Sequence, residues 1–337
     1  MYKYNHLIPE NIAPVGAKKI AVYNGNSKVC DVALGRLTPP IQAKQYSFLA
    51  LSDVHIVYDT ASTDFQRALT FAENSDCAFT CICGDLTDDG SDSQLTTYKN
   101  AVTAYAKTKP VYAIVGNHEA GNDFVAYDRP TPYTGYPLYY SFSYGNDVYI
   151  MLGTYRWLGN EPLSTDELQW LYETLEANRN KRCFVFEHVF PWGGAGNANG
   201  VYPYDIWTSK AGTAFENLMR HYKNTVLFHG HSHLRFYLQE VDKTANYSAD
   251  RGYRSVHIPS LSVPRDIATG GGYETIYAES EGYVVDVYDD CIILNGRDFI
   301  DNGKDGNILP IATYKIDTAL RTIAPDAFTD STGIIVT

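Results

Sequence analysis

None of the cysteines in this 337-residue chain form a Cys-x-x-Cys pair, so a structural zinc ribbon is not expected. The six thiols are Cys30, Cys77, Cys81, Cys83, Cys183 and Cys291. Cys77, Cys81 and Cys83 fall in the stretch CAFTCICGD, which reads as buried free thiols and suits a reducing compartment. No run of about 18 apolar residues occurs, so no membrane span is expected. The opening MYKYNHLIPENIAPVG lacks the charged-then-apolar order of a secretory leader. A cytoplasmic location is therefore the expectation, with an exported chain whose leader has been trimmed as the alternative. Basic residues are scarce: 27 Lys and Arg stand against 39 Asp and Glu, a net charge of −12. With no Lys/Arg stripe to track a phosphate backbone, long nucleic acid is not an expected partner, whereas a small phosphate ester remains open. Internal repeats, low-complexity tracts and long flexible linkers are also missing.

What is present is an alternation. Short apolar runs end abruptly in polar residues at YSFLALSDVH (46–55), AFTCICGD (78–85), VYAIVGNHE (111–119), DVYIMLGT (147–154), RCFVFEH (182–188) and TVLFHGHSH (225–233). Each has the length and the β-branched and aromatic content of a buried strand. Between them TDFQRALTFAENS, SQLTTYKNAVTAYAK, STDELQWLYETLEAN and KAGTAFENLMRHY carry helical spacing of apolar residues. In the third, Ser164 and Glu167 have the spacing of a capping box. Strands alternating with helices predict an α/β core. Residues 1–45 read as an accessory segment with a hairpin around AVYNGNSKV. From about residue 255 the pattern turns to strands at SVHIPSLSV, GYVVDVYD, CIILNGRDF and IATYKID, and residues 318–337 read as a tail.

The polar residues at the strand ends carry the functional signal. LFHGHSH (227–233) holds three histidines in five positions, which by itself suits a solvated loop or a metal site equally well, since neutral imidazole is a common metal ligand. The carboxyl ends of strands line the ligand crevice of an open α/β sheet. Here they deliver Asp53 and His55, then Asp85, then Asn117, His118 and Glu119, then His188, then His231 and His233. Each piece alone is an ordinary polar turn. Six of the nine histidines lie in these segments, so a shared metal site explains what separate turns do not.

The order D-x-H, G-D, G-N-H-E, a single His and G-H-x-H resembles the calcineurin-like metallophosphoesterase superfamily over about residues 47 to 235. The resemblance implies a four-layer α-β-β-α sandwich of two mixed sheets flanked by helices, filling residues 46–317, with a pair of metal ions at the strand ends. It implies hydrolysis of a phosphate ester. Two divalent cations roughly 3.5–4 Å apart repel one another by on the order of 20 kcal/mol, so an anion must bridge them. By resemblance Asp85 is that bridge, together with a hydroxide that attacks phosphorus. Asp53, His55 and His233 would complete one shell, and Asn117, His188 and His231 the other. Nitrogen and oxygen donors without thiolate suit manganese, iron or zinc. His118 occupies the general-acid position of the family, with Asp88 to orient it, while Glu119 reads as a structural carboxylate.

Two departures narrow the resemblance. GDLTDDG has Asp89 where phosphoprotein phosphatases carry a phosphate-gripping arginine, and Asp88 where purple acid phosphatases carry a tyrosine ligand. GDLTD looks most like the bacterial phosphodiesterase branch. After His188 the insertion VFPWGGAGNANGVYPYDIW offers Trp192, Tyr202, Tyr204 and Trp207 as aromatic walls for a substrate, or as a loop packed on itself. His229 and Arg265 are further substrate-contact candidates. The expected function is hydrolysis of a small-molecule phosphodiester or phosphomonoester. The alternatives are a nuclease or exonuclease of the same superfamily and a non-catalytic metal-binding module.

Overall fold

The computed structural model describes residues 19–24, 27–33, 43–57, 59–120, 131–155, 162–189, 195–196, 210–236, 238, 247–249, 251–268, 272–300 and 310–318. A hairpin of β1 (Lys19–Asn24) and β2 (Ser27–Ala33) forms its own two-stranded sheet, matching the hairpin expected around AVYNGNSKV. The α/β body follows with β3 (Tyr46–Leu51), α1 (Asp59–Asn74), β4 (Cys77–Cys83), α2 (Asp92–Tyr105), β5 (Val111–Ile114), α3 (Asn117–Ala120) and α4 (Thr131–Thr134). Then come β6 (Tyr139–Tyr144), β7 (Asp147–Leu152), α5 (Thr165–Ala177), β8 (Cys183–Glu187), α6 (Lys210–His221) and β9 (Thr225–His229). The remainder is β10 (Tyr247–Ser248), β11 (Arg254–His257), β12 (Arg265–Ile267), β13 (Tyr273–Thr275), β14 (Glu281–Val287), β15 (Cys291–Asp298) and β16 (Pro310–Asp317).

Two six-stranded sheets result. The first runs β16-β15-β14-β3-β4-β5 and the second β10-β11-β9-β8-β7-β6. In the first, β3, β4 and β5 are parallel, and the strands after residue 280 continue the sheet by pairing β14 antiparallel to β3. In the second, β7, β8, β9 and β11 are parallel. Parallel strands covered on both faces need continuous apolar runs, and β7, β8 and β9 are buried at every position.

Side-chain alternation sorts those runs into three interiors. Phe48, Phe79, Tyr149, Phe184, Phe186, Phe228 and Tyr283 fill the space between the sheets, with Phe186 stacked on Phe228 at 5.0 Å. Leu168, Leu171 and Leu175 of α5 and Phe215, Leu218 and Met219 of α6 cover the outer face of the second sheet. Phe65, Leu69 and Ala72 of α1 and Tyr98 and Ala101 of α2 cover the first. The layers are therefore α-β-β-α. The capping box at α5 is only half built: Ser164 Oγ accepts from the Glu167 N–H at 3.2 Å, but the Glu167 carboxyl is buried without a hydrogen bond of good geometry.

Candidate metal centre

The carboxyl ends of β3, β4, β5, β8 and β9 bring the chemistry together. Among the described residues, the non-glycine residues with positive φ are Asp53, His55, Asp85, His231 and His233, at 53°, 46°, 48°, 73° and 61°. Left-handed backbone is unfavourable for residues with a Cβ and persists only where the surroundings over-determine it. Those surroundings are visible. Asp53 N donates to Gly84 O at 3.1 Å and His55 N to Asp85 O at 3.0 Å, locking the first turn to the second. Ser260 Oγ and Ser262 Oγ hold the carbonyls of Asp53 and Val54. His231 N donates to the Asp53 carboxylate.

The motif glycines are set by close approach. A Cβ on Gly230 would overlap Ser52 Oγ and Asp53 Oδ2, and one on Gly116 would overlap Asp85 and His188. Glu119 closes the remaining gap: its carboxylate accepts from Thr87 N and Thr87 Oγ1 at 2.7 Å and from Gly116 N at 2.8 Å, tying the GDLTD turn to the GNHE turn.

Three candidate ligand groups emerge among the described residues: one is His55, Asp88 and His118, and the other two meet at Asp85. Asp53, His55, Asp85 and His233 offer donor atoms within 4.8 Å of one another, and so do Asp85, His188 and His231. In the first of these two groups His233 Nε2 lies 2.9 Å from Asp53 Oδ1 and 3.2 Å from His55 Nε2. In the second His188 Nε2 lies 3.0 Å from Asp85 Oδ2. Asn117 contributes a buried Oδ1 with no hydrogen-bond partner, and the next residue, His118, donates its N–H to Asp85 Oδ1 at 3.0 Å. His188 Nδ1 donates to the Cys83 carbonyl at 2.7 Å and His233 Nδ1 to the Val263 carbonyl at 3.1 Å. Carbonyls only accept, so each ring carries a proton on Nδ1 and turns Nε2 toward the site.

The electrostatics fit cations. Burial would raise the carboxyl pKa of Asp53, but His233, His188 and His55 more than reverse this and hold it well below the carboxylate range; Asp85 is lowered in the same way by His188 and His118. Burial drops His231 to about 3, leaving a neutral imidazole, and burial lowers His233 against the pull of the Asp53 carboxylate beside it. Burial also pulls on His188, yet Asp85 and Asp53 outweigh it and push it up to about 10, so a cation bound there displaces a proton. An orphaned buried amide oxygen, imidazoles and two buried carboxylates make a donor set that suits a pair of divalent metals.

The other expected site residues fall as follows. His118 is half-buried, its Nδ1 bonded to the backbone carbonyl of Asp88 and its Nε2 3.9 Å from Asp85 Oδ2. The Asp88 carboxylate lies 3.4 Å from His55 Nδ1 and 3.9 Å from His118 Nδ1, so the hydrogen bond that orients His118 comes from the main chain of Asp88. His229 is fully buried, with Nε2 on Ser255 Oγ at 2.9 Å, and offers a substrate no surface. Arg265 starts β12 with its N–H on the His233 carbonyl at 2.7 Å and its guanidinium 5.2 Å from the Tyr273 ring centre. Trp192, Tyr202, Tyr204 and Trp207 lie outside the described residues. The sequence reading missed Ser52, Ser260 and Ser262, which carry no motif and act through tertiary contacts.

A family model described as calcineurin-like phosphoesterase matches residues 46–235. No curated protein matches the sequence. Among solved structures, a dimetal phosphatase from Danio rerio superposes with a TM-score of 0.56 at 15% identity, covering 82% of this chain and 100% of that one. GAP50, described as the anchor in the inner membrane complex of Plasmodium, gives 0.56 at 14% identity over 82% and 89%. The purple acid phosphatase PPD1 of yellow lupin (Lupinus luteus) gives 0.50 at 16% identity over 81% and 53%. At such identities the likeness concerns the fold.

Proposed function

Because the chain belongs to the calcineurin-like phosphoesterase family, we propose that it is a dinuclear-metal hydrolase of small-molecule phosphate esters, diesters or monoesters. The observation that carries this reading is the pair of ligand groups that meet at Asp85. A fold neighbour described as an anchor is the reason the fold by itself carries no activity; the ligand set does.

When bound, two divalent cations such as Mn²⁺, Fe²⁺ or Zn²⁺ supply Lewis acidity, clamp the ester phosphate and make a water acidic near neutral pH. Asp53, His55, Asp85 and His233 would hold one, and Asp85, Asn117, His188 and His231 the other. The chain's own residues do the rest. His118 faces the cluster through Nε2 while the Asp88 carbonyl fixes its other nitrogen. Burial lowers its pKa, but Asp85, the Asp88 carbonyl and Glu119 raise it overall, which favours a ring that hands a proton to the leaving oxygen. Such a proton transfer contributes about 10²- to 10⁴-fold. Arg265, anchored beside His233 and braced on Tyr273, grips a non-bridging phosphate oxygen. The net charge of −12 argues against a nuclease. No described helix is long and apolar enough to cross a membrane.

The test is hydrolysis of p-nitrophenyl phosphate and of bis(p-nitrophenyl) phosphate by metal-stripped protein, before and after addition of Mn²⁺. Turnover of at least one ester that appears only with metal is expected. Inertness toward both, with Mn²⁺ bound, overturns the proposal.

A further inference from the structure

Two histidines outside the ligand set, His229 and His257, lie on the neighbouring strands β9 and β11. Val226, Phe228 and Val256 enter the space between the sheets, so the alternate residues Leu227, His229, Ser255 and His257 face the α5 and α6 side. His229 and His257 are register partners on the parallel strands β9 and β11. Both are fully buried, as is Ser232. Ser232 Oγ lies 2.9 Å from His257 Nε2, and His229 Nε2 lies 2.9 Å from Ser255 Oγ. A Cβ on Gly196 would stand 3.1 Å from both rings and 3.2 Å from Ser232 Oγ, so main chain seals the group from above.

Ser232 is the residue between His231 and His233, both in left-handed backbone. A turn with two such residues persists only when tethers fix it from several sides. His231 N is held by Asp53, His233 Nδ1 by the Val263 carbonyl and Ser232 N by the Gly230 carbonyl at 2.9 Å. Arg265 N holds the His233 carbonyl at 2.7 Å, and the Ser232 side chain adds a further tether, which ends on His257.

Resting on the metal-centre reading above, we infer that His257, acting through Ser232, is a positioning residue that sets the turn carrying one imidazole for each cation. His257 touches neither cation. Its hydrogen bond fixes where His231 and His233 aim, and groups of this kind change metal affinity by about 10- to 100-fold when removed.

The experiment is Mn²⁺ titration of the metal-stripped full chain by calorimetry, with thermal unfolding of the same metal-stripped samples alongside. Ser232→Ala and His257→Leu should each weaken Mn²⁺ binding about 10- to 100-fold. The double variant should be no weaker than the worse single one, because one hydrogen bond is lost in all three. His257→Gln, which keeps a polar atom in reach of Ser232, should recover most of the affinity. Should His257→Leu fail to fold, Ser232→Ala and His257→Gln still decide. Parent-like Mn²⁺ affinity in Ser232→Ala, additive losses in the double variant, or a His257→Gln as weak as His257→Leu would overturn the inference. A parent chain that takes up no Mn²⁺ sinks the metal-centre reading itself, whereas a parent that binds it normally beside an unaffected Ser232→Ala sinks only this one.

Discussion

The two ends of the parallel strands treat buried charge in opposite ways. At the amino ends Arg182, just before β8, donates from Nε and Nη2 to both oxygens of Asp147 at 3.0 and 2.6 Å. Its Nη1 reaches the Tyr288 carbonyl and Thr318 Oγ1, while Tyr46 OH donates to Asp147. The clamp joins β3, β7, β8 and the segments that follow β14 and β16 with its polar groups matched. At the carboxyl ends Asp53, Asp85, Asn117 and four imidazoles crowd together, with Asp53, His55, Asp85, His231 and His233 in strained backbone and Asn117 Oδ1 unmatched. Matched buried charge holds the sandwich shut. Buried donors that converge without mutual satisfaction are arranged for something that is not protein.

The largest effect that would break this contrast is at Asp85. Asp85→Asn removes the anion common to both groups, and turnover should fall on the order of 10³-fold or more with loss of bound Mn²⁺ by elemental analysis. Because His188 and His118 hold Asp85 ionised in the metal-stripped chain, the metal-stripped variant should lose this attraction and melt slightly lower than the parent. A large drop in the melting temperature of metal-stripped Asp85→Asn would make the carboxyl end a stabilising network like the other. His118→Asn comes next: metal content is retained and turnover of a poor leaving group, an alkyl ester, falls by about 10²- to 10⁴-fold. Unchanged alkyl ester turnover removes His118 from the acid role.

Arg182→Ala probes the opposite end. It leaves Asp147 buried without its partner and should lower stability by about 3–5 kcal/mol in urea unfolding. Mn²⁺ affinity at a temperature where the variant is folded should match the parent. Coupled loss of both would mean that the two ends are not separable.

The contrast also explains what was legible in the sequence. Each ligand followed an apolar run, because a parallel strand buried on both faces has a one-sided composition that stops where the crevice begins. The glycines beside Asp85, Asn117 and His231 belong to the motifs for a steric reason that the structure makes explicit at Gly116 and Gly230. Less was legible where a residue works through the main chain: the Asp88 carbonyl orients His118, which no side-chain pattern encodes. Ser260 and Ser262 reach Asp53 and Val54 across more than 200 positions, and pair information of that range is absent from one sequence. β6 was missed although YYSFSYGNDVYIML signals it: alternating aromatics flank the Gly145–Asn146 turn of a tight hairpin. Its aromatic character was read only from β7 onward.

The smallest predicted effect tests the contrast where it is weakest, at a buried carboxyl pair that belongs to neither end. Glu167 of α5 and Glu187 of β8 are fully buried, and neither has a hydrogen bond of good geometry. If unmatched polarity alone marked a ligand site, this pair would be one. The difference is charge. Burial, then Glu187, push the Glu167 carboxyl well above its ordinary range, and the Ser164 N–H only partly offsets them; burial does the same to Glu187. The carboxyls near the imidazoles are held ionised, whereas this pair is held neutral. An acid whose pKa is raised by folding binds its proton more tightly folded than unfolded. Its burden on stability is therefore absent below the unfolded value near ~4.3 and grows as pH rises above it. Glu167→Gln, uncharged at every pH, should unfold like the parent in urea at about pH 4 and be more stable at pH 8 by about 1–3 kcal/mol. A difference of equal size at both pH values would mean that Glu167 does not change its protonation on unfolding. It would then count with Asp53 and Asp85 as an ionised group awaiting a cation.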